Sequence, residues 1–372
     1  MAISGEADKE EAATPIPDGN KFVYQILNGP NEQCFENFRM DKPVFYKLCD
    51  LFQTRGLLRH TNRIKIEEQL AIFLFIIGHN LRTRAVQELF CYSGETISRH
   101  FNNVLNAVIA ISVDLFQSNP DSDTLEDDDD DPRFYPYFND CVGVVDSFHI
   151  PVMVGVDEQG PFRNCSGLLT QNVLAASSFD LRFRYVLAGW EGSASDQQVL
   201  SAALTRRNKL QVPQGKYYIV DHKYTNLPGF IAPYHGVSTN SGEEEAKEMF
   251  NERHKLLHRA SRRTIGALKE RFPILTSAPP YPLQTQVKLV IAACALHNYV
   301  RLEKPDDMVF RMFEEETMQE AGEDRGVAAL QEEEIEGHEH GFPPEEVGDS
   351  LRLRDEIASN LWNDYVQNLS TF

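Results

Sequence analysis

Apolar residues recur at helical spacing in the first part of the chain, from Phe38 onward. One predicted helix has an apolar face formed by Phe45, Leu48, Cys49 and Phe52. A second, from Ile64 to Ile77, is apolar on nearly every side, which is typical of a buried helix. Residues 1–37 begin with a stretch that is rich in Glu, Ala and Pro and lacks periodicity, so this segment is predicted to be mostly disordered.

Two further helices flank a short break and complete a helical module predicted over residues 38–118. Arg82 to Phe90 has the pattern of a short helix, the sequence CYSG interrupts it, and Ser93 can cap a second helix that runs through Val108. Two amphipathic helices around a four-residue turn are typical of a helix-turn-helix. The second helix would then expose four candidate DNA-binding residues, Arg99, His100, Asn102 and Asn103.

The alternative to a DNA-binding motif is an ordinary helical hairpin whose outer face is solvated. Between Arg39 and Val108 there are 10 basic and 6 acidic residues. This excess is a weak footprint compared with that of a dedicated DNA-binding domain. The residue pattern alone therefore leaves both alternatives open.

After an acidic linker over residues 119–140, the hydrophobic pattern changes from helical spacing to the short apolar runs of strands. Strands are predicted at Val142–Val145, Asn172–Ser178, Phe183–Ala188 and Tyr217–Val220. Helices are predicted from Gly192–Ser195 through Leu204, near Glu245–Arg271, and over Gln286–Val300. Three consecutive strands, a helix, a strand and then helices predict an α/β fold, an RNase H-like mixed sheet flanked by helices, over residues 141–300.

Charge is unevenly distributed along the chain. The formal net charge is −20, and the segment Arg301–Asp349, with 17 acidic and 4 basic residues, accounts for −13 of it. This composition predicts an acidic tail over residues 301–349 that is solvated and disordered or loosely helical. Contact with basic partners such as histone tails is the alternative role. Beyond the tail, apolar residues at four-residue spacing predict an amphipathic C-terminal helix over 350–372 that docks on the core or on a partner.

The cysteines and the apolar runs restrict the class of protein. Six scattered cysteines without a C-x-x-C pair favour a reduced intracellular protein over a disulfide framework or a zinc site. The longest apolar run, Leu70–Ile77, is far too short to span a membrane, so no membrane partner is expected.

Three aspartates lie where predicted strands end or a predicted helix begins. Asp146 and Asp221 each follow an apolar strand, and Asp196 opens a helix. Carboxylates that converge from separate rigid elements bind the divalent ions that drive phosphodiester chemistry. Each aspartate alone has a simpler explanation, as a strand end, a first-turn acid or a turn residue. Together, the three predict a metal site for Mg or Mn, with Asp146 and Asp221 as the catalytic candidates.

Several motifs resemble the conserved blocks of PIF/Harbinger-type transposases and of the host proteins derived from them. These motifs are VVDSFHI, GSASD, YYIVDHKY, FNERH, GALKERF and ACALHNYV. The similarity runs from about Phe38 to Tyr299, with a further match near Arg354–Tyr365. The resemblance implies a DDE nuclease domain that cleaves DNA with a divalent metal cation, and it assigns the metal-binding role to Asp146, Asp196 and Asp221.

The resemblance also implies a cellular setting. Plant host proteins derived from these transposases act in the nucleus with chromatin-complex subunits, and a Myb/SANT-like protein assists DNA binding and nuclear entry in the parent transposons. We therefore expect a nuclear protein with a Myb/SANT-like partner or chromatin-complex subunits as partners, and DNA as a further one.

One position departs from the family's pattern. The family's final glutamate lies eight residues after the histidine of the FNERH block, and that position is Arg262 here. Arginine offers only donors, so it cannot bind a cation. At about 4 Å from a divalent ion and an effective dielectric of about 20, it would be repelled by about 8 kcal/mol. The substitution predicts a catalytically impaired protein in which Arg262 replaces the metal and pairs with Asp146 and Asp221.

Two other ligands are candidates to replace the lost glutamate. His258 lies one helical turn before Arg262, and the acids Glu243–Glu245 precede the same helix region. Histidine is a poor match for a hard magnesium site. The alternative function is nevertheless a divalent-metal-dependent DNA endonuclease that retains activity with an altered acid set.

Overall fold

The computed structural model describes residues 19–61, 63–117, 135–236, 242–320 and 344–369. The chain divides into two compact units. The first contains the residues up to 76 and 81–103, and the second contains 77–80 and the residues from 104 onward. Within the described residues, no helix is both long and apolar enough to cross a membrane.

The first unit is entirely helical in its described part. Its helices are α1 (Gly19–Asn28), α2 (Asn31–Phe38), α3 (Lys42–Thr54), α4 (Ile66–His79), α5 (Gln87–Phe90) and the start of α6 (Gly94–Phe116). A 3₁₀ turn at Thr83–Val86 leads into α5. Its core is rich in fully buried phenylalanines, namely Phe38, Phe45, Phe52, Phe73, Phe90 and Phe101.

The beginning of the chain differs from the prediction. Disorder was expected over 1–37, but residues from Gly19 onward form α1 and α2. The ring of Phe22 packs edge-on against Phe75 and Phe90, with centroid distances of 5.7 and 5.4 Å. These contacts could not be predicted from the sequence. The first twenty residues are polar, and an isolated aromatic residue such as Phe22 produces no periodic pattern. Residues 1–18 lie outside the described part of the chain.

The two helices predicted around residues 91–93 are present. Cys91 adopts a left-handed conformation with φ of 53° at the end of α5, and the Ser93 hydroxyl accepts a hydrogen bond from the Thr96 backbone N–H at 3.3 Å. Arg99, Asn102 and Asn103 are exposed on α6. His100 is 6% exposed, and burial lowers its pKa. The prediction that His100 faces DNA is therefore wrong, since it lies on the helix face that packs inward with Ile97 and Val104.

The second unit is built on a five-stranded mixed sheet. The strands are β1 (Cys141–Pro151), β2 (Thr170–Ser177), β3 (Phe183–Glu191), β4 (Tyr217–Val220) and β5 (Phe230–Ile231). Their order is β3-β2-β1-β4-β5. The first three strands pair antiparallel, and β4 pairs parallel with β1 and with β5. The predicted α/β fold, with a mixed sheet flanked by helices and preceded by an all-helical segment, is confirmed.

Helices cover both faces of this sheet. They are α7 (Gln159–Phe162), α8 (Asp196–Thr205), α9 (Gly242–Arg271), α10 (Leu283–Glu303), α11 (Met308–Glu320) and α12 (Pro344–Leu369). Val145 of β1 packs in one core cluster with Val199 and Leu200 of α8. Its neighbour Val144 packs in another with Phe250 and Leu257 of α9. Since successive strand residues point to opposite faces, α8 and α9 lie on opposite sides of the sheet.

The C-terminal helix α12 docks on the core of the second unit. Ile357, Ala358 and Leu361 are buried in the same cluster as Phe250 and Leu257 of α9. The Ser350 hydroxyl donates a hydrogen bond to the Leu227 carbonyl at 2.8 Å. This helix was predicted to dock on the core or on a partner, and in the structure it docks on the core.

The start of the predicted acidic tail also belongs to the folded unit. The α10 helix continues to Glu303, and α11 follows with Val309 and Phe310 buried. Asp307 forms a buried ion pair with Arg271 of α9. The acidic composition of this segment predicted a solvated tail, because its few apolar residues form no clear pattern. Residues 321–343 of the tail and the linker run Glu126–Asp131 lie outside the described residues.

Candidate active site

Asp146 and Asp221 lie side by side on neighbouring parallel strands. Val145 on β1 pairs with Val220 on β4, so the residues that follow them reach the same level of the sheet. Val144 and Ile219, which alternate with these valines, pack on the α9 side. Asp146 and Asp221 therefore face α9. The structure brings these two predicted residues together, and we call them the acid pair.

Helix α9 presents Ser261 and His258 to the acid pair. The Ser261 hydroxyl donates a hydrogen bond to Asp146 Oδ2 at 2.9 Å. His258 lies one turn earlier and acts electrostatically on both aspartates. Its Nε2 atom is buried and has no hydrogen-bond partner among the described residues. Ser261 was not predicted as a site residue, because a serine in a basic helix gives no chemical signal of its own.

His254 supports His258 from one turn earlier in α9. The two imidazole rings stack at a centroid distance of 6.1 Å. His254 Nε2 donates a hydrogen bond to the Ile231 carbonyl at 3.2 Å. Burial lowers the pKa of His254 to about 4, so this ring is neutral at physiological pH. A neutral ring fixed by its hydrogen bond holds the helix against β5.

The two aspartates differ in their electrostatic environments. Burial raises the pKa of Asp146, and the opposing effects of His258 and of the hydrogen bond from Ser261 do not overcome it. Burial also acts to raise the pKa of Asp221, but His258 and His222 outweigh it, so this pKa lies below its ordinary value. His222 donates its backbone N–H to Asp221 Oδ1 at 2.7 Å. Negative charge is therefore favoured on Asp221 and costly on Asp146.

Asp196 lies on the opposite side of the sheet from the acid pair. It is the first residue of α8, whose N-terminus is capped by Ser195. Its Oδ1 accepts a hydrogen bond from Asn172 Nδ2 at 2.8 Å, and its Oδ2 lies 3.8 Å from Lys223 Nζ. The structure thus does not bring this predicted metal ligand to the acid pair. Asn172 could have been noticed as an amide inside an apolar strand.

Arg262 does not pair with the acid pair. Its side chain is exposed, and it forms no hydrogen bond or ion pair with any described residue. Successive helical residues are about 100° apart, so a helix that points Ser261 at Asp146 turns the next residue toward solvent. The predicted replacement of a metal ion by Arg262 is therefore wrong. His258 supplies the compensating interaction instead.

Glu243–Glu245 are too distant to replace the lost glutamate. They lie in the first turn of α9, at least 13 residues before His258. At 1.5 Å per residue, this separation is roughly 20 Å along the helix. Glu243 forms an ion pair with Lys247 at 3.1 Å.

The residues around the acid pair do not fit a divalent metal ion. Each Asp146 oxygen accepts a hydrogen bond, Oδ1 from the Ser147 backbone N–H at 2.8 Å and Oδ2 from Ser261. No third carboxylate faces the pair from α9. Across the described parts of the chain, no three His, Cys, Asp or Glu side chains converge closely enough to hold a metal.

Comparisons with known proteins agree with this architecture. Residues 145–298 match the DDE superfamily endonuclease family, and residues 14–110 match a domain of unknown function, DUF8040. The chain is similar to "Protein ALP1-like" of Arabidopsis thaliana, with 21% identity over 309 residues that cover 75% of this chain and 73% of the relative. No solved structure matches the chain. These matches confirm the resemblance drawn from the motifs, and residues 145–298 are similar to a DDE superfamily endonuclease domain.

Proposed function

We propose that this protein is a non-cleaving, transposase-derived nuclear protein that acts through DNA- or chromatin-associated protein complexes. The observation that supports this function is the composition of α9 opposite the acid pair. Ser261 and His258 face the aspartates where metal-dependent cleavage requires a carboxylate. Arg262, the position of the family's final glutamate, is exposed. A helix of this composition holds the acid pair without completing a catalytic site.

The chemistry of the domain family strengthens this argument. DDE endonucleases generally use divalent metal ions. Two such ions stabilise the attacking and leaving oxygens when several carboxylates converge on them. Here two carboxylates meet, and the third, on Asp196, belongs to the other face of the sheet. The side chains around the acid pair therefore support a domain that retains the nuclease fold but lacks a complete set of metal ligands.

The nuclear location and the partners rest on the family resemblance and on charge. A net charge of −20 that is concentrated beyond residue 301 favours contact with basic proteins such as histone tails. A Myb/SANT-like protein or chromatin-complex subunits are the partners that the resemblance suggests.

A second candidate function is a metal-dependent DNA endonuclease with an altered acid set. The observation that favours it is the parallel register that aligns Asp146 with Asp221 on one face of the sheet. Two adjacent carboxylates are the minimum on which such a site is built.

Titration calorimetry with Mg²⁺ and Mn²⁺ separates the two candidates. We expect no binding of either ion by the intact protein at micromolar concentrations. Residue 262 points to solvent on α9, so Arg262→Glu should bind the ions no more tightly than the unsubstituted protein. Arg207→Glu, an exposed position on the segment after α8, is the control with the same change in charge.

Micromolar binding by the unsubstituted protein would overturn the non-cleaving proposal. Tighter binding of the ions by Arg262→Glu than by Arg207→Glu would show that residue 262 reaches the acid pair, contrary to its exposed position.

A further inference from the structure

We propose that the loop between α3 and α4, residues 55–65, binds the phosphate backbone of duplex DNA beside the α5–α6 helix pair. This basic loop carries Arg55, Arg59, His60, Arg63 and Lys65, and it contains no acidic residue. The described helical segment that contains this loop is positively charged, unlike the chain as a whole. Residues 19–103 contain 11 basic and 8 acidic residues, a net charge of +3 in a chain of net charge −20.

The described residues of the basic loop, 55–61 and 63–65, are held in a defined shape by polar and apolar contacts. Leu58 and Ile64 are buried at 6% and 3% exposure and anchor the loop to the core of the unit. The Thr61 hydroxyl donates a hydrogen bond to the Ile64 carbonyl at 3.0 Å, and Gln69 Nε2 donates one to the Arg59 carbonyl at 2.9 Å. A loop that is already ordered loses little entropy when it binds a ligand.

The charged side chains of the basic loop point away from these anchors. Arg59, Arg63 and Lys65 are exposed. Within the described ranges, none of the three forms an ion pair with an acidic residue. His60 lies 3.9 Å from Glu67. This neighbouring carboxylate therefore contacts the histidine and not one of the three cationic side chains. Three cationic groups are thus available to an external anion.

Tyr92 connects the basic loop to the turn between α5 and α6. Its hydroxyl donates to Glu68 Oε1 at 2.9 Å and lies 3.4 Å from the Arg63 carbonyl oxygen. Tyr92 precedes Ser93, the cap of α6. The loop therefore lies next to the beginning of the helix that exposes Arg99, Asn102 and Asn103.

This arrangement favours duplex DNA over an acidic peptide. When a helix pair docks on DNA, backbone contacts from flanking segments set its position, and the exposed side chains of the second helix face the bases. The basic loop supplies the first kind of contact and α6 carries polar side chains suited to the second. An acidic peptide would contact only the cationic side chains of the loop and would gain nothing from the neighbouring asparagines.

The salt dependence of DNA binding tests this proposal. Fluorescence anisotropy with a labelled random duplex of about 20 base pairs would be measured from 50 to 200 mM salt in EDTA, so that the result does not depend on the acid pair. Each phosphate contact contributes about −0.9 to the slope of log K against log salt. We expect Arg59→Ala/Arg63→Ala/Lys65→Ala to bind more weakly and to reduce the steepness of that slope by about 2.7.

Two comparisons make the result specific. The variant Lys21→Ala/Lys47→Ala/Lys209→Ala removes three exposed positive charges outside the basic loop and should retain the original slope. A poly-glutamate peptide should compete poorly with the duplex. The proposal is wrong if the intact protein does not bind the duplex, if the loop variant keeps the original slope, or if the loop is needed for peptide binding but not for DNA binding.

Discussion

Asp146 and Asp221 are identical side chains in one site whose pKa values are shifted in opposite directions. Burial dominates at Asp146 and raises its pKa, whereas His258 and His222 lower the pKa of Asp221. A carboxyl whose pKa is raised on folding stabilises the protein at low pH, and this stabilisation is lost as the pH rises through the folded pKa. A carboxyl whose pKa is lowered stabilises the protein at neutral pH, and this contribution is lost in acid.

Substitution of the two aspartates should therefore have effects of opposite sign. Asp146→Asn removes a costly buried charge while its amide can still accept from Ser147 and donate to Ser261, so we expect it to raise the free energy of unfolding at pH 7.5. Asp221→Asn loses the charged interactions with His222 and His258 and should lower it by about 1–3 kcal/mol. Urea unfolding in EDTA measures both. Tryptophan fluorescence is suitable because Trp190 and Trp362 both lie in the second unit.

The Asp146→Asn difference should shrink as the pH is lowered from 7.5 toward 4, because protonation of Asp146 makes the unsubstituted protein resemble the variant. The Asp221→Asn difference should persist to about pH 4, because the pKa of Asp221 lies below its ordinary value. Two destabilising substitutions of equal size at neutral pH would contradict the electrostatic assignment.

Sequence reasoning located the acid pair and named His258 as a candidate beside it, but it did not identify Ser261. Asp146 and Asp221 could be identified because each ends an apolar run, and that pattern survives without structural information. Ser261 could not be identified, because its contact with Asp146 depends on the rotation of the helix about its axis. A shift of one residue, about 100°, separates exposed Arg262 from Ser261, which bonds to Asp146.

Helix α9 organises the second unit at the scale of elements. It packs on the sheet through Phe250 and Leu257, on α12 through the same cluster, and on α11 near its C-terminal end. The charged residues at its two ends complement the helix dipole. The first turn carries Glu243, Glu244 and Glu245, and the last turn carries Lys269 and Arg271. This one helix therefore couples the acid pair to both C-terminal helices.

Gly266 of α9 lies in close contact with Phe313 of α11. A Cβ atom at this position would lie 2.5 Å from Cε1 of Phe313. Gly266→Ala gains helix propensity, but the ring must move, so we expect a net loss of about 1–3 kcal/mol in the free energy of unfolding. Gly348→Ala in α12 is the matched control, because no heavy atom lies within 4 Å of the added carbon.

The control should gain about 0.5–1 kcal/mol from the better helix former. Urea midpoints followed by tryptophan fluorescence distinguish the two variants. If both substitutions raise the midpoint equally, Phe313 does not pack against Gly266 as described.

Elements with a strong local pattern were predicted well, and those formed by tertiary packing were not. The strand at Tyr217–Val220 agrees with β4, and the strong periodicity near Glu245–Arg271 agrees with α9. Helix α11 was hidden by its acidic composition, since Val309 and Phe310 are buried by contacts with distant residues. The two-residue strand β5 forms by pairing with β4 and has no independent sequence signal.

At the scale of the whole molecule, charge is distributed unevenly along the chain. The described start of the chain, 19–103, has a net charge of +3, while the chain as a whole carries −20. This positive helical segment suits contact with nucleic acid, and the acidic remainder of the chain suits contact with basic proteins. This division agrees with a protein that joins DNA to a protein complex without cutting the DNA.

A plasmid-nicking assay tests this central claim most directly. Purified intact protein would be incubated with supercoiled plasmid in Mg²⁺ or Mn²⁺, alongside Asp146→Asn/Asp221→Asn as a control for contaminating nucleases. The missing carboxylate on α9 predicts that the two proteins leave the plasmid equally intact. Metal-dependent nicking by the unsubstituted protein that the double variant lacks would contradict the account and establish an active endonuclease.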